Sequence, residues 1–348
     1  MCLKNKINMN KIPKYRALPV FEGAVFALLL FVPLIADKFV ISSLTVFLLL
    51  SMLAISFELC WGYTGILTFG QGFFFGIGGY VVAILMNKAQ VINFYVLSAG
   101  AIGIGILLGL FFGAFLFLGK RVPTIIFIAI GTMTLSYLGE RFFTGWAWVG
   151  AANGQTLWEV VEVFGVEFIP GVKAFYVVMF FLTIIYLLCR FVVRSQLGLV
   201  CSGLRQSEER LKFLGYQIQV PKLIIFTFAA AIASFAGGVF SLHEGFVGPT
   251  SLGFTFSAYA ALYCLFGGSG TLIGAIIGTI AIEMARLYLS DINMIKHYWQ
   301  IVLGAILIVV ILFRPHGIVG LFVGTRERIG YFGFRGTRKL KVKADKYV

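Results

Sequence analysis

Charge is scarce in this sequence. Asp, Glu, Lys and Arg together supply 12% of its 348 residues, about half of the roughly 25% found in soluble domains. A chain with so few groups to present to water is excluded from that class, and its 60% of hydrophobic residues makes lipid the relevant solvent. Chemistry-bearing residues are thin as well. The three histidines (His243, His297, His316) lie far apart in sequence, and the five cysteines (Cys2, Cys60, Cys189, Cys201, Cys264) form no C-x-x-C pair. Neither a zinc site nor a disulfide framework follows. The G-x-x-x-x-G-K-[ST] phosphate loop and H-E-x-x-H are missing, which argues against an enzyme and against a metal or cofactor bound by this chain. Alternation of polarity is missing too. Runs such as Phe175 to Leu188 are apolar on every face, so a membrane β-barrel is rejected.

What the sequence does supply, repeatedly, is apolar runs near the roughly 20 residues that a helix needs to cross a bilayer. The expected fold is all-α, a polytopic helical membrane protein with about ten segments and broken Gly-rich helices. The segments are 18–36, 39–61, 67–86, 94–119, 123–144, 172–194, 223–242, 253–266, 271–289 and 298–313. Segment 253–266 is short for a crossing, and with Gly267-Gly268-Ser269-Gly270 after it reads as tilted, broken or re-entrant. Three regions follow: a basic N-terminus at 1–17, one membrane domain at 18–313 with a central loop at 195–222, and a basic tail at 314–348. Span one is expected to stay, because Leu34-Ile35-Ala36 lacks the small residue that a signal-peptide cleavage site places two positions before its end.

The net charge of +14 follows from where the basic residues fall. Ten crossings put 22 of the 28 Lys and Arg on the side holding both termini and the central loop, and six on the other. By the positive-inside rule that side is the cytoplasm. The placement speaks for topology and membrane lipid, not for nucleic acid.

Four features are candidates for function. From Glu58 to Tyr80 glycine stands at 62, 65, 70, 72, 76, 78 and 79. Each costs about 1 kcal/mol against Ala inside a helix, so a break near Gly62 to Gly65 is expected, then close packing through Gly72 and Gly76. Either packing alone explains the stretch, or the broken helix lines a pathway with Tyr63, Thr64, Thr68, Gln71 and Gly72. Gly105, Gly109 and Gly113, and later Gly270, Gly274 and Gly278, repeat a four-residue spacing and read, with Gly76, as helix-packing seams. In the central loop, RQSEERLKFLG reads as an amphipathic helix with Leu204, Leu211 and Leu214 on one face, a Glu208 to Lys212 pair, and a stop at Gly215. It awaits a partner or lies on the membrane. Among intramembrane ionisable groups, Glu283 and Arg286 are expected to pair at i,i+3, and Glu22 and Glu58 to snorkel at inner ends. The loop 145–170, outside, carries Trp146, Trp148 and Trp158 for the interface belt and the acidic residues Glu159, Glu162 and Glu167.

WGYTGILTFGQGFFFGIGGY at 61–80, GLRQSEERLKFLG at 203–215, LFGGSGTLIGAIIG at 265–278 and LFRPHGIVGLF at 312–322 together resemble the permeases of branched-chain amino acid and urea ATP-binding-cassette importers. The resemblance implies a bacterial inner-membrane protein that works with a second related permease, two cytoplasmic ATPase subunits holding ATP and Mg, and an extracytoplasmic substrate-binding protein. It also implies that Arg205, Glu208, Glu209 and Gly215 contact the ATPase, although Arg210 and Leu211 stand where the family has small residues. Trp61, Gly70-Gln71-Gly72 and Gly78-Gly79-Tyr80 lean towards the urea branch, while the breadth of the amino acid branch puts it first. A stand-alone secondary transporter or channel is the rival class, distinguished by having no use for the central helix and by an unpaired buried carboxylate.

Overall fold

The computed structural model describes residues 17–119, 123–291, 304 and 317–319. The predicted basic N-terminus and tail, and the tenth segment at 298–313, fall almost entirely outside those residues. The other nine predicted segments each coincide with a helix. Among the described residues six helical stretches are long and apolar enough to cross a bilayer: Lys38–Tyr63, Phe94–Phe117, Ile125–Gly145, Val172–Arg194, Gln219–Glu244 and Leu272–Leu289. Phe21–Leu34, Gln71–Asn87 and Phe254–Gly267 are shorter apolar helices.

In chain order the helices are α1 (Ala17–Phe31), α2 (Lys38–Glu58), α3 (Gln71–Asn87), α4 (Phe94–Phe117), α5 (Ile125–Gly145), α6 (Val172–Arg194), α7 (Gln196–Gln206), α8 (Glu208–Phe213), α9 (Gln219–Glu244), α10 (Phe254–Gly267) and α11 (Leu272–Asp291). The core is built by α2, α3 and α9, with α4, α6, α10 and α11 packed around it. Lipid offers no hydrophobic drive for helices to associate, so close van der Waals approach must supply it, and small residues permit that approach. α9 provides them as Ala229, Ala230, Ala233, Ala236, Gly237 and Gly238, all buried. A methyl at Gly105 of α4 would stand 2.7 Å from the Ser234 Cβ, and one at Gly109 2.9 Å from the Ala230 Cβ. Gly113 faces Leu223 and Phe226 of the same helix. Gly76 lies against the backbone of Leu252, and Gly274 and Gly278 of α11 against the backbone of α10 and the turn after it.

The loop after α5 departs from the purely helical expectation by small additions. Four two-residue strands occur among the described residues: β1 (Gln155–Thr156) pairs with β4 (Phe246–Val247), and β2 (Glu162–Val163) with β3 (Val166–Glu167). Phe164 and Gly165, both at positive φ, close the second pair as a two-residue hairpin turn. Glu162 stands opposite Glu167. Trp146 stacks on Trp148, and both are exposed along with Trp158.

Candidate functional site

The break in α2 falls where the glycines place it, and it has a definite form. After Glu58 the helix widens into a π turn, Leu59–Tyr63, and the chain leaves helical geometry after Thr64. Gly65 has φ +77°, a conformation that a Cβ resists. The chain then doubles back as an extended segment to Gly70. Ser56 Oγ donates to Gln71 Oε1 at 3.2 Å, so α3 begins level with a residue seven positions before the end of the turn, about 10 Å of helix rise. Irregular backbone at this depth has no water to bind and survives only where protein satisfies it. α5 does so. Phe69 N–H donates to Thr132 Oγ1 at 2.9 Å, and Ser136 Oγ donates to the Phe69 carbonyl at 2.6 Å. At the helix start, Gly72 N–H donates to Ser257 Oγ of α10 at 2.7 Å.

The residues expected to line a pathway are therefore gathered but closed upon one another. Thr64, Thr68, Gln71 and Gly72 are all buried. Thr64 Oγ1 donates to the Cys60 carbonyl, Thr68 Oγ1 accepts from Gly70 N–H, and Gln71 Nε2 points at Cys60 Sγ. Tyr63 is partly buried, and its hydroxyl meets the Leu272 backbone at the start of α11.

Glu58 is a correction to the sequence reading. It does not snorkel: it has no exposed surface, its carboxylate folds over Gly62, and it accepts the backbone N–H groups of Gly270 and Thr271. A side chain at Gly62 would occupy the space that the carboxylate fills. Glu58 and Tyr63 thus satisfy the orphan donors of a buried helix start, where the helix dipole also favours negative charge. Glu22 is likewise buried and pairs with Arg190 of α6. Glu283 and Arg286 pair as expected at 2.8 Å, with Tyr263 donating to the same carboxylate.

The central loop forms two helices rather than one. Ser207 is extended (φ −167°, ψ 112°) and its side chain accepts from Arg210 N–H at 3.4 Å, ending α7 and capping α8. At the other end Tyr216 N–H bonds the Leu211 carbonyl and Gly215 N–H the Lys212 carbonyl, with Gly215 at φ +82°, the Schellman arrangement. The break turns Leu214 outward while Leu204 stays buried, so the proposed common apolar face does not form. Glu208 pairs with Lys222, not Lys212. Lys222 is fully buried in the first turn of α9, where a positive charge opposes the helix dipole, and the carboxylate offsets that. Arg205, at the end of α7, donates to the Gly62 carbonyl in the π turn, and its backbone lies against Gly65. Of the four interface residues implied by resemblance, Arg205 and Glu208 are thus bonded within the chain, Glu209 is exposed, and Gly215 ends α8.

Sequence reasoning missed several contributors. Thr132, Ser136 and Ser257 look like ordinary hydroxyls in apolar helices, and Lys222 like a topology marker. Phe213, Leu214 and Tyr216 are exposed at the tip of the loop, with Phe213 at 91%. The spacing of Glu58 and Gly62, one turn apart, was the available hint for the buried carboxylate. Among the described residues no cluster of His, Cys, Asp or Glu is arranged for a metal ion. Burial pushes the Cys201 thiol of α7 up to about 12.

The sequence profile described as branched-chain amino acid transport system / permease component matches residues 39–311. LivM of Escherichia coli (strain K12), a high-affinity branched-chain amino acid transport system permease protein, is 26% identical over 343 residues, covering 88% of this chain and 78% of that protein. LivH of the same organism, named in the same terms, is 24% identical over 289 residues, 78% of this chain and 91% of LivH. LsrC of Enterobacter sp. (strain 638), an autoinducer 2 import system permease protein, is 29% identical over 212 residues, 58% of this chain and 57% of LsrC. No solved structure matches the chain significantly. With its break, its seams and its α7–α8 helix pair all inside the matched region, the chain belongs to the family of permease components of branched-chain amino acid transport systems.

Proposed function

We propose that this chain is one of two permeases in an ATP-driven importer of branched-chain amino acids. The observation that carries the reading is the family match across 39–311, which takes in both the α2–α3 break and the α7–α8 pair. LivM and LivH, both similar to this chain, are named as permeases of branched-chain amino acid transport, which supports a second, related permease here and favours that substrate class over urea. In this reading the chain has ten membrane segments with both termini in the cytoplasm. ATP and Mg sit on two separate ATPase subunits, and an extracytoplasmic binding protein delivers substrate to the face bearing the β2–β3 hairpin. The tip of α8, with Glu209, Phe213 and Leu214, docks the ATPase.

Transport follows as alternating access. Nucleotide binding moves the docked helix pair, and the two permeases exchange an outward for an inward opening, which requires contacts that differ between states. The closed contacts of Thr64, Thr68 and Gln71 belong to one such state, and opening them would expose polar groups to an amphipathic solute. Glu58 gives the rival, a stand-alone carrier, its specific observation, because that class uses buried carboxylates. Here the α11 N-terminus already engages it. Reconstitution into liposomes with the second permease, the ATPases and candidate binding proteins tests the reading. ATP-dependent leucine uptake is expected; preference for urea, or uptake by this chain without an ATPase, would reject it.

A further inference from the structure

We propose that Arg205 and Glu58 form a strut that ties the cytoplasmic helix pair to the moving parts of the membrane domain. This rests on the permease reading above and assigns Arg205 a different task from ATPase docking.

Four segments meet at one point. Arg205, the penultimate residue of α7, reaches the Gly62 carbonyl in the π turn that ends α2. One turn earlier Glu58 accepts the N–H of Gly270 at the α10–α11 turn, and the charge of Arg205 acts favourably on that carboxylate. The same turn is gripped from a third direction: Ile318 N–H donates to the Phe266 carbonyl at 3.0 Å, and Gly317 at φ +65° lies against the backbone of Gly267 and Gly268. A displacement of α7 is therefore passed to the break in α2 and onward to the start of α11 without crossing a flexible linker.

Three properties suit the junction to transmission. The π turn leaves carbonyls outside regular α pairing, and Gly62 presents one of them to a guanidinium, a charge-assisted bond stronger than a neutral one. Gly65, at φ +77°, makes the turn that a side chain would strain and sets the π turn directly against α7, where a Cβ would stand in ordinary van der Waals contact with Arg205, 3.4 Å from its Cα. Glu58 is buried completely, so its bonds are not exchanged with water when the helix pair moves. Glu208 and Lys222 make a second tie, from α8 to the start of α9, which keeps the pair attached when the first is cut. Arg205 is accordingly a positioning residue. Its removal should uncouple hydrolysis from transport and leave assembly intact.

The test uses the complete reconstituted transporter, measuring leucine uptake and ATP hydrolysis in the same vesicles, with co-purification of the ATPase as the measure of docking. For Arg205→Ala, uptake per ATP is expected to fall about tenfold, inside the usual range of coupling between sites, with ATPase co-purification unchanged and Arg205→Lys restoring most of the loss. Glu58→Gln should lower the same ratio to a lesser degree, while Phe213→Ala should lose the ATPase itself. Hydrogen–deuterium exchange on Arg205→Ala, which needs no transport, should quicken at residues 60–65 and 268–272 and stay constant along α4. This separates failure of the strut from failure of the permease reading. The proposal is overturned if Arg205→Ala releases the ATPase, if uptake per ATP is unchanged, or if exchange does not alter at 268–272.

Discussion

α4 and α5 are neighbours in sequence, similar in length, and both leave most of their surface uncovered by the rest of the chain, yet they meet it by opposite means. α4 buries a seam of Gly105, Gly109 and Gly113 against α9, and beyond Tyr95 in its first turn its open side is apolar, with Ile106, Leu107, Leu110, Phe111 and Phe115. α5 buries hydroxyls. Thr132 and Ser136 hold the backbone of Phe69, and its open side mixes Ile126, Ile130 and Leu138 with Thr134, Tyr137 and Arg141. The first is a helix whose outer side suits hydrocarbon. The second carries a cation and two polar groups that hydrocarbon disfavours, which fits a helix facing the second permease or a water-filled path. Arg141 is held beside Tyr137, Nη2 to the hydroxyl at 3.0 Å, so its charge is positioned rather than trailing.

The largest effect that would sharpen this contrast comes from glycine. Gly105→Leu must displace Ser234 and the Ala230 carbonyl, 2.7 and 3.0 Å from the added Cβ, and should cost about 3 kcal/mol or lose the fold, as overpacking does at its upper end. Gly131→Leu on α5 meets only Leu116, at 3.7 Å, and should stay within about 0.5 kcal/mol. Unfolding of the purified protein in detergent by a thermal assay compares them. Equal losses would erase the distinction between a seam and an open face.

The seam was legible in the sequence because it is local: four-residue spacing puts glycines on one helix face whatever the neighbour is. Helix positions were legible for the same reason. The break at Gly62 to Gly65 could be placed because glycine density is a local property, but its depth could not, since that depends on Ser56, Thr132 and Ser136 meeting residues 67–71. Glu208 shows the limit well. Both Lys212 and Lys222 are available to it, the nearer gives the better helix-periodic argument, and the extended backbone at Ser207 hands it to the farther. Glu58 was misplaced because the count of residues to the inner end ignored the α10–α11 turn, more than two hundred positions away, that covers it.

Next in size are the hydroxyls of α5. Thr132→Val keeps shape but leaves Phe69 N–H without its acceptor, and Ser136→Ala leaves the Phe69 carbonyl without its donor. Each should cost about 1–2 kcal/mol for a buried group left unpaired. The double variant should cost less than the sum, because either change alone already loosens the segment. Thr134→Val, whose hydroxyl bonds back to the Ile130 carbonyl at 2.9 Å on the open side, is the internal control and should be silent in stability. Full additivity in the double variant would mean that 67–70 is held elsewhere.

The smallest effect bears on the open sides directly. With Cys2 replaced by Ser, single cysteines at 107 and 111 on α4 and at 134 and 137 on α5 can be treated with a membrane-impermeant thiol reagent in vesicles of this chain without and then with the second permease. The native background is low: Cys60, Cys189, Cys201 and Cys264 are buried, and Cys201, raised to about 12, stays protonated and unreactive at the pH of labelling. Positions 134 and 137 should label severalfold faster than 107 and 111, and the second permease should slow labelling at 137 while leaving 107 as it was. Since hydrocarbon and a protein partner both exclude the reagent, the informative result is the change on adding that permease. A rate at 137 that ignores the partner, and equals the rate at 107, would place both helices against lipid and leave Arg141 without a reason to be there.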